Sequence, residues 1–167
     1  MERRISEILR AWDRDPSQGL PEEIFLLVSS LTPLINVDLL IQEESGRTLL
    51  TWRNDGYYPP GWHIPGGIIR YKEKMETRVR AVARQELDVE VDFHPVPLAV
   101  HEIINPHRKE RGHFISLLYR CHLCTFPPEN RRFQTSRPAA DQWMWHEAFP
   151  ENMIPPHKIY RPFFRES

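Results

Sequence analysis

The chain has 167 residues, of which 40% are hydrophobic and 27% are charged, and its formal net charge is −1. These values are typical of one globular domain and exclude an intrinsically disordered chain. The near-zero charge provides no global attraction to nucleic acid or to an anionic membrane, so we expect neither as a partner.

The first thirty residues are predicted to form a helical extension, followed by a single domain over residues 31–167. Four apolar residues follow the i, i+3, i+4, i+7 spacing of an amphipathic helix: Ile5, Ile8, Leu9 and Trp12. PEEIFLLVSSL starts with a proline and two glutamates, which indicates a second helix. The N-terminal stretch lacks the apolar centre of a signal peptide, and no apolar run approaches the roughly 18 residues of a membrane-spanning helix. These features favour a cytoplasmic protein.

Strands and helices then alternate along the chain. INVDLLIQEE and RTLLTWR are strand-like and are separated by SGR, which is typical of a hairpin turn. GWHIP predicts a short strand, and a helical pattern runs from Met75 to Leu87. Two further strands, VPLAVHEII and FISLLYRCHL, flank the polar loop NPHRKERG; DQWMWHEAF predicts another strand and PPHKIYRPFF a short helix. This interleaving predicts an α/β (α+β) fold with a central mixed sheet.

Two cysteines, Cys121 and Cys124, form the motif CHLC. A metal-binding or redox pair is one interpretation, and a core cysteine on a strand is the other. Because residues three apart on a strand point to opposite faces, the two sulfurs would not share a metal ion. The core interpretation is therefore favoured.

GWHIPGGIIRYKEK places three of the seven glycines of the chain in one short stretch. Pro65 fixes one backbone dihedral, and we expect Gly66 and Gly67 to free the following ones, so that backbone atoms can approach a ligand or ion. By itself, a Pro-Gly-Gly corner is most often only a tight turn.

The helix after this corner carries a carboxylate on its apolar face. At 100° per residue one stripe contains Met75, Val79, Val82 and Glu86. A glutamate is seldom buried unless it is paired or bound to metal. Glu86 is therefore either part of a site at the glycine corner or a rim residue whose carboxylate turns to water.

The spacing from the glycines onward resembles the box of the Nudix hydrolases: Gly, five residues, Glu, seven residues, then Arg-Glu-aliphatic-x-Glu-Glu-x-Gly-aliphatic. Gly67 and Glu73 match the opening of this box, and Glu86 matches its last glutamate. The departures from it stand on the helix: Ala81 for Arg, Val82 and Gln85 for Glu, and Asp88 for Gly. This degenerate box resembles the GDP-mannose mannosyl hydrolase branch, and the resemblance covers roughly residues 20–146.

The resemblance implies an α/β/α sandwich that uses Mg²⁺ or Mn²⁺ to hydrolyse a nucleoside diphosphate derivative, with a nucleotide sugar favoured. It implies a metal held by Glu86 and a backbone carbonyl of Gly66 or Gly67, with the amide oxygen of Gln85 beside them. Mg²⁺ prefers such oxygen ligands and completes its shell with phosphate and water. Glu73, in the catalytic site, is implied as a supporting or structural residue that pairs with an arginine. Arg80 or Arg84 would have to replace the arginine missing at position 81, and Arg84 is expected to be solvated.

Three residues are expected to contact the substrate. Arg53 ends a strand where the branch has a diphosphate-binding arginine. Asp38 interrupts an apolar strand, which favours either a functional role or a buried pair with Arg53. We also expect a contact from Arg70, in the basic segment after the glycines.

The general base of the branch is missing from its expected place. Ala139 and Ala140 stand where the branch has a Gln-His pair. Histidine is the usual base near neutral pH, so His113 is the expected substitute, with His101 as an alternative. Taken alone, each of the two is more often an ordinary strand or loop histidine. The basic segment HRKERGH lies in the loop between the strands of these two histidines. It either contacts a diphosphate or is a solvated hairpin loop.

The sequence leaves two functions open. One is a hydrolase of a small nucleotide diphosphate derivative. The other is a nucleotide-binding or interaction protein that keeps the fold without the chemistry. A homodimer packed through its apolar N-terminal helices is compatible with both.

Overall fold

The computed structural model describes residues 6–7, 15–134 and 136–165. Ile5, Ile8, Leu9 and Trp12, on which the first predicted helix depends, lie outside these residues. Two longer helices are present in the described part of the chain. They are α1, Glu22–Ser29, and α2, Met75–Val82, which continues as a π-helical turn over Ala83–Leu87.

The eight strands of the described residues follow the predicted order with two additions. They are β1 Leu34–Ile41, β2 Thr48–Arg53, β3 Gly61–His63, β4 Gly66–Ile68, β5 Val91–Phe93, β6 Ala99–Ile104, β7 His113–Leu123 and β8 Trp143–His146. The short strands β4 and β5 are not predicted from the sequence. Three 3₁₀ segments complete the fold: Pro16–Gln18, Glu129–Arg131 and Pro155–Phe163.

The strands form two sheets. The larger sheet has the order β4-β1-β7-β5, and β6 also pairs with β7. Strands β1 and β7 are parallel and the other pairs are antiparallel. The smaller sheet is antiparallel, with the order β3-β2-β8. The predicted α+β class with a mixed sheet is confirmed.

Strand β1 has its centre buried on both faces, which explains its nearly continuous apolar sequence. On one face, Val37, Leu39 and Ile41 share a core with residues of α2. On the other face, Leu40 shares a second core with Tyr160 of the C-terminal 3₁₀ segment. The larger sheet therefore lies between α2 and that C-terminal segment, as in a sandwich.

Glycine is required at the Pro-Gly-Gly corner for a different physical reason from the one expected. Gly66 and Gly67 lie in strand β4, outside the left-handed region. A Cβ on Gly66 would lie 2.1 Å from Oδ1 of Asp38, and one on Gly67 would lie 2.7 Å from Cγ2 of Val82. The two glycines are thus required by the close packing of β4 against β1 and α2.

Two local predictions are confirmed. The SGR turn contains Gly46 at a φ of 84°, and its N–H donates to the carbonyl of Glu43 at 2.8 Å. Cys121 is a buried strand residue, and burial raises its thiol pKa to about 12, whereas Cys124 is exposed beyond the strand. None of the helices in the described residues has the length and apolar character needed to cross a membrane.

Candidate functional site

Glu86 lies at the glycine corner. Its Oε1 accepts a hydrogen bond from the Gly66 N–H at 3.1 Å, and its Oε2 accepts one from the Thr51 hydroxyl at 3.2 Å. The Nε2 of His63 is also 3.2 Å from Oε2. The side chain is 26% exposed. The π-helical turn thus brings the carboxylate against β2, β3 and β4 together while leaving part of it open to a ligand.

The register of β4 directs a backbone carbonyl of the corner to the same side as Glu86. In antiparallel pairing, hydrogen-bonded and non-hydrogen-bonded residue pairs alternate. The Leu39 N–H donates to the Pro65 carbonyl at 2.8 Å, so the next pair, Asp38 and Gly66, is of the non-hydrogen-bonded kind. Both backbone groups of Gly66 therefore point away from β1. Its N–H reaches Glu86, and its carbonyl faces the same way.

Gly67 and Gln85 are placed differently from Gly66. Gly67 pairs with Val37 and belongs to the hydrogen-bonded kind of pair, so its carbonyl is directed into the sheet. Gln85 is exposed on the π-helical turn. Of the expected metal-binding set, Glu86 and Gly66 are joined directly by a hydrogen bond.

His63 is a site residue that the sequence pattern does not select. It is buried, and its Nδ1 lies 2.9 Å from the Thr51 carbonyl, to which it can only donate. A neutral ring therefore presents its Nε2 lone pair to Glu86, and a protonated ring donates to it. The signal for His63 is weak: a polar residue in a short strand just before the glycines.

A second buried histidine stands beside the first. His157, from the C-terminal segment, has its ring centroid 5.9 Å from that of His63. Its Nδ1 accepts a hydrogen bond from the Ile64 N–H at 3.1 Å. Burial, together with the nearby charges of His63 and Arg53, holds the His157 pKa well below its usual value. His157 therefore lies beside His63 as an uncharged ring.

Asp38 is buried, and its partners are uncharged. Its Oδ2 accepts hydrogen bonds from the hydroxyls of Ser116 and Tyr160 and from Nδ2 of Asn36, the last at 2.8 Å. Desolvation by burial raises its pKa, and these three donors partly oppose that effect. The buried pair between Asp38 and Arg53 considered from the sequence is wrong, because Arg53 donates to Asp55 at 2.6 Å.

A cleft of about 140 Å³ opens beside these groups. It is smaller than the roughly 300–1,000 Å³ of typical ligand pockets, so it has room for only part of a ligand of that size. Its polar and charged lining consists of Asn36, Asp38, Arg53, Tyr58, His63, Arg111 and His157, and the remainder is Ile64, Gly66, Gly67, Ile68, Ile103, Phe114 and Pro156. Two of these residues, His63 and Gly66, are also contacts of Glu86.

Glu73 has an arginine partner, but neither of the two suggested from the sequence. Its Oε2 accepts from Nε of Arg78 at 2.8 Å and from the Arg70 N–H at 2.9 Å. Arg78 is almost fully buried, so this ion pair fixes the chain between β4 and α2. Arg80 donates instead to the Val91 carbonyl, and Arg84 pairs with Glu90.

Two predicted site residues lie outside the cleft. Nε2 of His113 is 3.1 Å from Oε1 of Glu102, on an exposed part of the sheet. The Arg70 side chain lines a separate pocket beside α1, and its Nη1 donates to the Ser17 carbonyl at 3.4 Å. The alternative base, His101, packs edge-on against Tyr160 and away from Glu86.

The segment before β8 lies next to the end of α2. Arg131 connects the two, because its Nη2 donates to the carbonyl of Glu86 at 2.6 Å and to that of Asp141 at 2.9 Å. Ala139 and Ala140 directly precede Asp141 and are exposed. The place where the branch has its Gln-His pair is therefore beside the site, and it carries no polar side chain.

The protein oxygens at the corner suit Mg²⁺ only if phosphate and water complete its ligand shell. No group of three or more histidine, cysteine or acidic residues in the described residues is placed to hold a metal ion. The Glu86 carboxylate and the outward-facing Gly66 carbonyl provide two oxygen ligands. This fits a Mg²⁺ ion whose other ligands are phosphate oxygens and water, and it does not fit a metal held by protein alone.

Comparison with known proteins identifies related sequences and folds. The family model described as NUDIX domain matches residues 32–164. The low-salt glycan biosynthesis protein Agl8 of Haloferax volcanii is 32% identical over 76 residues, which are 46% of this chain and 48% of that protein. The chain therefore spans about half the length of this curated relative.

Two solved structures show the same fold. A MutT NUDIX hydrolase from Burkholderia pseudomallei superposes with a TM-score of 0.63 at 21% identity, covering 80% of this chain and 99% of that one. A UDP-X diphosphatase superposes with a TM-score of 0.56 at 19% identity, covering 96% of this chain and 73% of that one.

Proposed function

Because the chain belongs to the NUDIX family, we propose that it is a Mg²⁺- or Mn²⁺-dependent hydrolase of a nucleoside diphosphate derivative, with a nucleotide sugar as the favoured class. One observation carries this proposal: Glu86 and the Gly66 carbonyl face the same side of the corner, next to a cleft. The similarity to a glycan biosynthesis protein supports a sugar-containing substrate.

In this proposal, Glu86 and the Gly66 carbonyl would hold the metal. Once bound there, the ion would supply Lewis-acid chemistry and neutralise charge on the diphosphate. Thr51 and His63 position the Glu86 carboxylate through contacts of 3.2 Å each. Arg53 lines the cleft and supplies a positive charge for the diphosphate.

Turnover of a substrate panel tests the proposal. Nucleotide sugars, dinucleotides and nucleoside triphosphates are incubated with Mg²⁺ or Mn²⁺, and products are separated by chromatography. We expect turnover of a nucleotide sugar that EDTA abolishes. Glu86→Gln is expected to lower kcat by about 100-fold or more, because it removes the carboxylate that is proposed to bind the metal.

Glu90→Gln is the matched control. Glu90 is close in sequence but pairs with Arg84 at the surface, away from the corner. Its substitution is expected to leave kcat within about twofold of the wild type. An inactive panel, or equal turnover by Glu86→Gln and wild type, would contradict the hydrolase.

A second candidate function is nucleotide binding without hydrolysis. Both Glu86 oxygens are already engaged by groups of the protein, and Ala139 and Ala140 replace the usual Gln-His pair. Thermal stabilisation by nucleoside diphosphates, with no product formed from any member of the panel, would favour this function. Metal-stimulated turnover would exclude it.

We also propose that the chain forms a homodimer. Leu27 and Leu31, in and just after α1, are 44% and 75% exposed, which supports an apolar contact through this helix. Light scattering is expected to give twice the chain mass of 19.9 kDa. A monomer mass would contradict the dimer and leave the enzymatic proposal unaffected.

A further inference from the structure

The loop between β6 and β7 carries two arginines that pack on one aromatic ring. The guanidinium carbon of Arg111 lies 4.0 Å from the ring centroid of Tyr57, and that of Arg108 lies 5.3 Å from it. Arg108 also donates through Nη1 to the Tyr57 carbonyl at 3.1 Å. Tyr57 belongs to the loop between β2 and β3, so cation–π contacts join the two loops at this ring.

Arg111, unlike Arg108, lines the cleft, where Arg53 lies as well. Arg53 has a carboxylate partner in Asp55. No ion pair joins Arg111 to a carboxylate in the described parts of the chain. Its guanidinium therefore brings to the cleft a planar set of N–H donors and a positive charge that has no ion-pair partner in the described residues. Asp55, the partner of Arg53, also feels this charge, since Arg111 contributes to lowering the Asp55 pKa.

The backbone around Arg111 is held in place. Its φ is 53°, which is uncommon for a residue other than glycine, and its N–H donates to the Ser29 hydroxyl at 3.1 Å. At the neighbouring Gly112, a Cβ would lie 2.6 Å from the Arg108 carbonyl oxygen, so the loop is tightly packed. Since α1 and Tyr57 both fix Arg111, little further ordering is needed when it binds an anion.

We propose that Arg111 is a phosphate-binding residue, which together with Arg53 clamps the diphosphate of the substrate between the two loops. The guanidinium fork matches two phosphate oxygens, and stacking on Tyr57 sets its plane. The inference rests on the proposed function in taking a nucleoside diphosphate derivative as the ligand. The assignment adds Arg111, from the β6–β7 loop, to Arg53 at the end of β2 as a second positive charge for the diphosphate.

Isothermal titration calorimetry with Mg²⁺ tests this assignment. The ligands are guanosine, adenosine and uridine, each as the nucleoside, the monophosphate and the diphosphate. The proteins are the wild type, Arg111→Met, Arg111→Lys and the control Arg108→Met. Both methionine variants remove one positive charge and one cation–π contact with Tyr57 from the same loop, and Arg108→Met also removes the hydrogen bond to the Tyr57 carbonyl. A field effect or a loosening of the loop would therefore affect the control at least as much as Arg111→Met.

Arg111→Met is expected to weaken diphosphate binding by about 10- to 100-fold, the range of a charge-assisted hydrogen bond, and to leave nucleoside binding unchanged. Arg111→Lys keeps the charge without the fork and is expected to give an intermediate loss. Arg108→Met is expected to change diphosphate affinity less than about threefold. A KM increase with little change in kcat is expected for Arg111→Met.

Equal losses in the two methionine variants, or no loss in Arg111→Met, would overturn the assignment. Should Arg111→Met fail to fold, Arg111→Lys decides: unchanged diphosphate affinity overturns it, and a selective loss supports it. Arg111-dependent binding without turnover would support the clamp and contradict the hydrolase. Full activity in Arg111→Met would support the hydrolase and contradict the clamp, and failure of every diphosphate to bind would overturn both.

Discussion

His146 is a buried histidine whose Nε2 has no hydrogen-bond partner among the described residues. Its ring packs edge-on against Trp62, with the centroids 4.7 Å apart. Burial lowers its pKa from 6.5 to about 4. The residue is therefore neutral at physiological pH and adds an ionisable group to the core.

We expect His146 to make the folded protein less stable in acid. Between pH 6.5 and about 4 the unfolded chain binds this proton and the folded chain does not. The free energy of unfolding therefore falls as pH falls through this window, by an amount on the order of 3 kcal/mol for this one residue. Urea denaturation at several pH values measures the effect.

His146→Phe is expected to remove this pH dependence, because phenylalanine keeps the edge contact with Trp62 and has no proton to bind. The control is His122→Phe on the exposed face of β7, which is expected to leave the dependence unchanged. His157 titrates in the same direction, but its contribution cancels when wild type and variant are subtracted. An unaltered slope in His146→Phe would contradict the assignment.

Some residues of the site could be predicted from the sequence, and others could not. Glu86 could be selected because a carboxylate on an apolar helical stripe is unusual, whatever its neighbours. His63 could not, since its significance depends on its contact with Glu86, which lies 23 residues later in the chain. The link between Arg111 and Tyr57 joins two loops 54 residues apart in sequence (111 − 57), and no periodic pattern reports such a contact.

At the scale of elements, strand β4 is the one least predictable from the sequence. Gly66 and Gly67 have low strand propensity, so the local pattern favours a turn. The strand forms because only glycine lets the backbone approach so closely to Asp38 on β1 and to α2. Packing therefore decides this element and overrides propensity, whereas the longer strands follow from their own apolar sequences.

Gly66→Ala is expected to lower the free energy of unfolding by about 3 kcal/mol or more and to abolish turnover. Its Cβ would overlap Oδ1 of Asp38, whose side chain three donors hold in place. The overlap would move β4 and, with it, the Gly66 groups that face Glu86. Urea denaturation and turnover of the best substrate measure the two effects.

Gly56→Ala is the control for this substitution. Gly56 has a φ of 78° and open space around it, so alanine there introduces backbone strain without overlap. The expected cost is about 1–2 kcal/mol, with turnover retained. If Gly66→Ala were no more costly than Gly56→Ala, close packing would not be the reason for the glycine.

At the scale of the whole molecule, the C-terminal segment joins the two sheets. Tyr160 is fully buried in a core that contains Leu40 of the larger sheet and Leu50 of the smaller one. Its hydroxyl also donates to Asp38. The mixed-sheet fold was predictable from the interleaved strands and from the resemblance to a known family. This closing contact was not, because the residues against which PPHKIYRPFF packs are distant in the sequence.

Tyr160→Ala is expected to destabilise the protein by about 3–5 kcal/mol, through loss of the buried ring and of a donor to Asp38. Ile159→Ala is the control, since Ile159 precedes Tyr160 but is exposed. We expect it to cost less than about 1 kcal/mol. Urea denaturation of both variants checks this prediction, and similar losses would show that the segment contributes little to the core.

The π-helical turn at the end of α2 has a consequence for how the chain tolerates insertions and deletions. A π-helical turn contains one more residue than the α-helical turn it replaces. Deleting the exposed Gln85 would shorten Ala83–Leu87 to the length of an ordinary α-helical turn and change the direction in which Glu86 leaves the helix relative to Gly66. The contact between Glu86 and Gly66 therefore constrains the number of residues between the glycines and Glu86.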